Sequence, residues 1–98
     1  MRIYISGKIT GDPDYYEKFG RAQARLEKEF ENAQIINPAL VGEALPEDFS
    51  YKDYMDIDFL LLDKSDAIYM LRDWMESPGS CMEYGYSMAS DKIILRED

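Results

Sequence analysis

The 98-residue chain contains no histidine and a single cysteine, Cys81. Without imidazole, Cys–His and Ser–His catalytic pairs and a histidine zinc site are excluded, and one thiol cannot form an internal disulfide. Basic side chains are scarce: 11 Lys and Arg stand against 20 Asp and Glu, a formal net charge of −9. Such a surface repels a phosphate backbone, so polymeric nucleic acid is not an expected partner. No apolar run approaches the roughly 18 residues of a membrane span, and Met1-Arg2-Ile3-Tyr4 leads into a strand-like pattern with no signal-peptide region. A cytoplasmic chain that does not engage membrane is expected. Its length allows one domain, residues 1–98, which buries only roughly 60–65% of the surface of its unfolded chain. A core that thin makes a homodimer or larger homo-oligomer an expected partnership.

What the chain does have is alternation of strand and helix patterns. Arg2-Ile3-Tyr4-Ile5-Ser6 is short, β-branched and aromatic, and Gly7 stops it. Asp12-Pro13 reads as a helix start with proline at the first helical position. Between about Asp14 and Phe30 the residues Tyr15, Phe19, Ala22, Leu26 and Phe30 recur at three- and four-residue steps, the mark of one buried helix face. Gln34-Ile35-Ile36 is a second strand ended by Asn37-Pro38, and Ala39 to Ser50 reads as a loop with about one helical turn. Tyr51 to Asp63 returns to the helix period, Asp66 to Leu71 is a third strand, Cys81 to Ser90 a third helix, and Lys92 to Leu95 a last strand. The order predicts a three-layer, flavodoxin- or Rossmann-like α/β fold: a parallel sheet of four or five strands, right-handed crossovers and helices on both faces. In such a sheet the ligand lies beyond the carboxyl ends of the strands, where the strand order reverses.

Two carboxylates stand out by position. Tyr54, Ile57, Leu61 and Leu62 define the buried face of their helix, and Asp58 takes the i+4 place on it. An inward carboxylate needs a partner or must protonate; Asp58 is either a core-edge residue bonded to backbone amides, Lys8 or Arg2, or a functional acid. Glu83, three residues after Ser80, fits a capping box with Ser80 as N-cap. In the first turn of a helix it would equally be held ionised by the helix end, available as a nucleophile or electrostatic stabiliser. The loop Gly7-Lys8-Ile9-Thr10-Gly11 could cradle a phosphate through its amides, and Ser77, Gly79 and Ser80 form a second such corner. Either loop alone is also an ordinary turn. Cys81 reads as a small helix residue with no adjacent cation to activate it, and the six methionines and Trp74 as core or interface packing.

In combination these segments resemble the nucleoside 2-deoxyribosyltransferase-like superfamily. The likeness rests on Ile3-Tyr4-Ile5-Ser6-Gly7 with Ile9 and Gly11, on Asp58 ahead of Asp66-Ala67, and on Ser77-Pro78-Gly79-Ser80-Cys81-Met82-Glu83-Tyr84-Gly85. The resemblance implies that Glu83 is the nucleophile at the anomeric carbon, that Asp58 holds the sugar and assists proton transfer to the base, and that Tyr4 sits by the nucleophile. It also implies that Ser6 to Gly11 with Ser77, Gly79 and Ser80 bind the substrate, Ser77 favouring a 5′-phosphorylated ligand. Members usually continue to a fifth strand, and few basic residues here could hold phosphate. The implied activity is N-glycosidic cleavage or transfer on a nucleoside 5′-monophosphate, with no metal and no cofactor; oxocarbenium-like chemistry needs paired carboxyls, not histidine. A nucleotide- or nucleotide-sugar-binding module without catalysis, and a purely structural interaction protein, are the alternatives.

Overall fold

The computed structural model describes residues 1–98. Its strands are β1 (Arg2–Ser6), β2 (Gln34–Ile36), β3 (Ala67–Met70) and β4 (Ile93–Arg96), and its helices α1 (Tyr15–Glu29), α2 (Pro38–Glu43), α3 (Tyr51–Asp63) and α4 (Pro78–Ala89). A 3₁₀ turn at Trp74–Glu76 precedes α4. The sheet has four strands, all parallel, in the order β2-β1-β3-β4. No helix is long and apolar enough to cross a membrane.

Strand chemistry sorts the sheet. The strands with the most buried side chains, β1 and β3, lie in the centre, while β2 and β4 expose part of theirs at the edges. The period of two then divides β1 between layers. Ile3 and Ile5 join Ala67, Tyr69 and Leu71 under Phe19, Ala22 and Leu26 of α1 and Ala39 of α2. Tyr4 joins Ile68, Met70 and Leu62 on the opposite face, beneath α3 and α4. Helices therefore cover both faces, as right-handed crossovers running in opposite directions from β1 require.

The two layers are unequal: nine buried residues form the α1 core and four the α3/α4 core. The difference lies in α4, whose buried stripe is Gly79, Ser80, Glu83 and Ser87, with no apolar member. From α4 the half-buried Tyr84 and Tyr86 add apolar contact to this layer, but its fully buried positions are small or polar, and such local departures from core patterning mark functional sites.

Gly7 joins β1 to the first loop at a close approach. A Cβ there would stand 2.6 Å from Leu71 Cδ1 and 2.9 Å from Leu71 Cβ, against a fully buried side chain whose own N–H bonds the Ser6 carbonyl at 2.9 Å. Gly7→Ala should therefore cost about 1–3 kcal/mol by overpacking. Urea unfolding measures it; a variant as stable as the wild type would mean that Leu71 moves freely.

Several elements differ from expectation. Pro13 lies ahead of α1, whose N-cap is Asp14; Asp12 instead folds back to accept the Asp14 N–H at 2.9 Å. The expected loop after Pro38 carries α2, started by the Asn37 side chain, which accepts the Ala39 N–H. The α4 helix begins three residues earlier than the Cys81 start, with Ser77 as N-cap and Pro78 in its first turn. The four strands of the sheet, by contrast, are as expected.

Candidate functional site

The strand order reverses direction between β1 and β3, and a cavity of about 390 Å³ opens beyond their carboxyl ends. Its walls come from both helical layers: Tyr15 and Phe19 of α1, Pro38, Ala39 and Gly42 of α2, Tyr51, Tyr54, Met55 and Asp58 of α3, and Gly79, Ser80 and Glu83 of α4. The floor is the end of β1, Tyr4 to Ser6, continued by Gly7, Ile9 and Thr10.

Glu83 is the most deliberately placed group. It is 4% exposed, in the second turn of α4. Its carboxylate accepts the Tyr4 hydroxyl at Oε2 (2.6 Å) and the Ser6 hydroxyl at Oε1 (2.7 Å). Ser6 Oγ also lies 3.0 Å from Ser80 Oγ; since the Ser6 proton goes to Glu83, Ser80 donates to Ser6. This settles the two sequence readings of the residue. The capping-box pattern is not realised: Ser77 is the N-cap, accepting the Ser80 N–H at 3.2 Å, and Glu83 is too far along the helix to reach it. The helix-end potential does not hold the carboxylate either, because that influence fades within the first turn. Burial dominates, pushing Glu83 up to about 7, while the hydrogen bonds from Tyr4 and Ser6 oppose the rise. Tyr4 itself is driven upward by burial and by the neighbouring charges of Glu83 and Asp58, so it stays a neutral donor.

Asp58 enters the same cavity from α3. The expected partners are elsewhere: Arg2 bonds Gln34 and the Lys64 carbonyl, and Lys8 reaches Glu76 at 3.5 Å. Burial first, and then repulsion from Glu83, raise Asp58 to about 7. Both carboxyls thus lie on one cavity with their charged forms disfavoured by burial, and near neutrality such a pair holds about one proton between them. One ionised and one protonated carboxyl is the pairing that nucleophilic plus acid–base chemistry requires.

Tyr4→Phe isolates the hydrogen bond. Losing the donor should move Glu83 further upward, and the rising limb of any Glu83-dependent pH profile with it. Titration of the carboxyl carbon by NMR reads this without an activity assay; an unchanged or lowered value would mean that Tyr4 does not stabilise the carboxylate.

Of the twelve residues expected at the site, all but Lys8 and Gly11 line the cavity. Lys8 is turned outward: its N–H bonds Asp73 Oδ1 at 3.1 Å and its ammonium faces Glu76. Gly11 is at a positive φ of 81° in the turn that leads toward α1, with nothing near its missing Cβ. The loop is fastened from outside by Lys18, whose ammonium bonds Asp12 and Asp73 at 2.5 Å each and the Lys8 carbonyl at 2.8 Å. The cavity has no Lys or Arg among its lining residues. Hydrogen-bond donors for an anionic group there are limited to amides and hydroxyls, chiefly at Thr10 and the Ser77-to-Ser80 start of α4.

The sequence reading missed the aromatic wall. The spacing of Tyr15 and Tyr54 marks them as core-facing, whereas both line the cavity, Tyr15 while also packing on the α1 core, and they are joined there by Tyr51 and Met55. The signal was present: Tyr51, Tyr54, Met55 and Asp58 follow i, i+3, i+4, i+7 and form one stripe of α3, all of it on the cavity. Gly79 serves the same wall, since a Cβ on it would come within 3.0 Å of Tyr51 Oη and 3.1 Å of Met55 Sδ. Of the methionines, Met70 is core and Met55 is in the cavity, whereas Met75, Met82 and Met88 are exposed.

Residues 1–96 match the family described as Domain of unknown function (DUF4406). The chain belongs to this family. The match spans every strand and helix, so the paired carboxyls and their cavity lie wholly inside the DUF4406 region. None of the curated proteins compared with the chain matches it.

Proposed function

We propose that the protein cleaves or transfers the N-glycosidic bond of a nucleoside 5′-monophosphate, using Glu83 as nucleophile and Asp58 as proton donor and acceptor. The observation that carries this reading is the pair itself: two carboxyls in one cavity, one held by Tyr4 and Ser6, both shifted to about 7. The resemblance of the strand-one and α4 motifs to the nucleoside 2-deoxyribosyltransferase-like superfamily supports the same chemistry.

In the first step a Glu83 oxygen attacks C1′ as the C1′–N bond breaks, and protonated Asp58 delivers its proton to the departing base. In the second, ionised Asp58 takes a proton from water, or from an accepting base, as that nucleophile displaces Glu83 from C1′. Tyr4 and Ser6 aim the carboxylate and restrain its charge. The 5′-phosphate lies against the first turn of α4, at Ser77, Gly79 and Ser80. The tyrosine wall receives the base by stacking. No metal and no cofactor takes part in these steps. Exposed Leu60, Met75, Met82 and Met88 support a homo-oligomer, and the free thiol of Cys81 suits the reducing cytoplasm.

The test is incubation of the chain with ribo- and deoxyribonucleoside 5′-monophosphates, followed by chromatography of the free base. Base release with a pH optimum near 7 is expected, since the productive form carries one proton on the pair. Tight nucleotide binding without base release would replace the enzyme by a binding module.

A further inference from the structure

The charge inside the cavity points to a narrower substrate. Two carboxyls, Asp58 and Glu83, face it, and the other titratable groups on it are the phenols of Tyr4, Tyr15, Tyr51 and Tyr54, from β1, α1 and α3. The nearest loop lysines are turned away and neutralised, Lys8 on Glu76 and Lys18 between Asp12 and Asp73. Around the chain as a whole the charge is −9. Repulsion from Glu83 disfavours the charge on Asp58, and a positive charge in the cavity relieves it.

The tyrosines that share the cavity with the pair suit such a charge. Tyr15 of α1 and Tyr51 and Tyr54 of α3 put three electron-rich rings on the cavity from two layers, and such rings attract a flat organic cation. Two of the rings are fixed by contacts behind them. Tyr15 donates to Glu43 at 3.1 Å, and Tyr54 packs edge-on against Phe49 with ring centroids 6.4 Å apart.

We propose that the base of the natural substrate is itself a cation, a quaternised heterocycle of the pyridinium or N-alkylated purine class, held in the cavity by Asp58 and the tyrosines that line it with Asp58. The proposal rests on the glycosidic reading above and specifies its leaving group. Chemically it simplifies the first step. A Glu83 oxygen bonds C1′, the C1′–N bond breaks, and its electron pair moves onto the ring nitrogen, cancelling the positive charge; the base departs neutral with no proton delivered. In the second step water attacks C1′, the C1′–Oε bond breaks to regenerate the Glu83 carboxylate, and the water proton passes through Asp58 to solvent. The sum is cation plus water giving free sugar phosphate, neutral base and one proton. A neutral nucleotide releases no net proton.

The probes are nicotinamide mononucleotide, a pyridinium nucleoside 5′-monophosphate, and its reduced dihydropyridine form, which has nearly the same shape and no ring charge. The neutral purine and pyrimidine 5′-monophosphates complete the set. Binding is read by calorimetry on Glu83→Gln, which retains Asp58 and the tyrosines, and folding of each variant by circular dichroism. The pyridinium form should bind about tenfold more tightly than the reduced form, the combined effect of the Asp58 charge and the aromatic contacts, and Asp58→Asn added to Glu83→Gln should lower that ratio to the part the tyrosines supply. On the unsubstituted chain it should be cleaved faster than any neutral nucleotide, with one proton released per base. Cation-selective binding without base release from any compound upholds the ligand class and removes the glycosidic reading. Base release from neutral nucleotides with no preference for the pyridinium form overturns the proposal and leaves the glycosidic reading in place. Absence of both binding and cleavage defeats both.

Discussion

Glu83→Gln should lower the rate of base release by on the order of 10³-fold or more, the scale seen when a covalent nucleophile is removed. Glutamine preserves the shape of the side chain, and its carboxamide can still pair with Tyr4 and Ser6, whose hydroxyls rotate to donate or accept. What it cannot do is attack C1′ as an anion. The loss should therefore appear in kcat, with the circular dichroism spectrum and the affinity for a neutral nucleotide little changed. Glu83→Ala should lose as much activity and also leave a void beside Tyr4. The two variants together separate chemistry from packing. Retention of more than about a tenth of the activity by both would remove Glu83 from the nucleophile's role, because one positioned acid–base group alone is worth about 10²–10⁴-fold.

The sequence was most readable where local chemistry and tertiary demand agree. Arg2–Ser6 and Tyr51–Asp63 begin and end at the expected residues, one because Gly7 ends a β-branched run, the other because Ser50 and Asp53 form a capping box at its start. Readability failed at Ser77-Pro78-Gly79-Ser80, which offers two serines as N-caps. The Ser80-to-Glu83 spacing imitates a capping box, yet Pro78 is better accommodated inside the first turn, where its missing N–H costs nothing. That shift of three residues moves Glu83 from a helix end to a buried second turn, and so changes the cause of its perturbed charge from helix polarity to burial. The tyrosine wall was hidden for another reason. A three-to-four period marks residues that face inward, and cannot tell a filled core from a cavity, so Tyr15 and Tyr54 carry the same signal as Leu26 and Leu62.

The same carboxyls should make the protein more stable in mild acid than in mild base. Glu83 rises on folding from its ordinary value of 4.5 to about 7, and Asp58 from 3.8 to about 7. Between about pH 4 and 7 the folded chain therefore binds more protons than the unfolded chain, so the free energy of unfolding falls as pH rises through that window. For Glu83 the displacement corresponds to about 3 kcal/mol, and Asp58 acts in the same direction. Asp12 and Asp53 act oppositely, since Lys18 and Ser50 respectively hold them below the usual range, but their influence is lost only below the window, in stronger acid. Comparison with Glu83→Gln isolates the effect, because the repulsion of the remaining acidic surface is common to both chains. Near pH 5, where Glu83 is protonated, the two should have similar stability in urea. By pH 8 the variant should be the more stable by about 3 kcal/mol, having no buried charge to maintain. Parallel stability curves across that range would mean that Glu83 is not displaced toward neutrality, and the shared-proton pair would have to be abandoned. An inactive variant that is more stable than its parent above pH 7 would instead show what the site costs: a carboxylate kept in a layer where an apolar side chain would have completed the core.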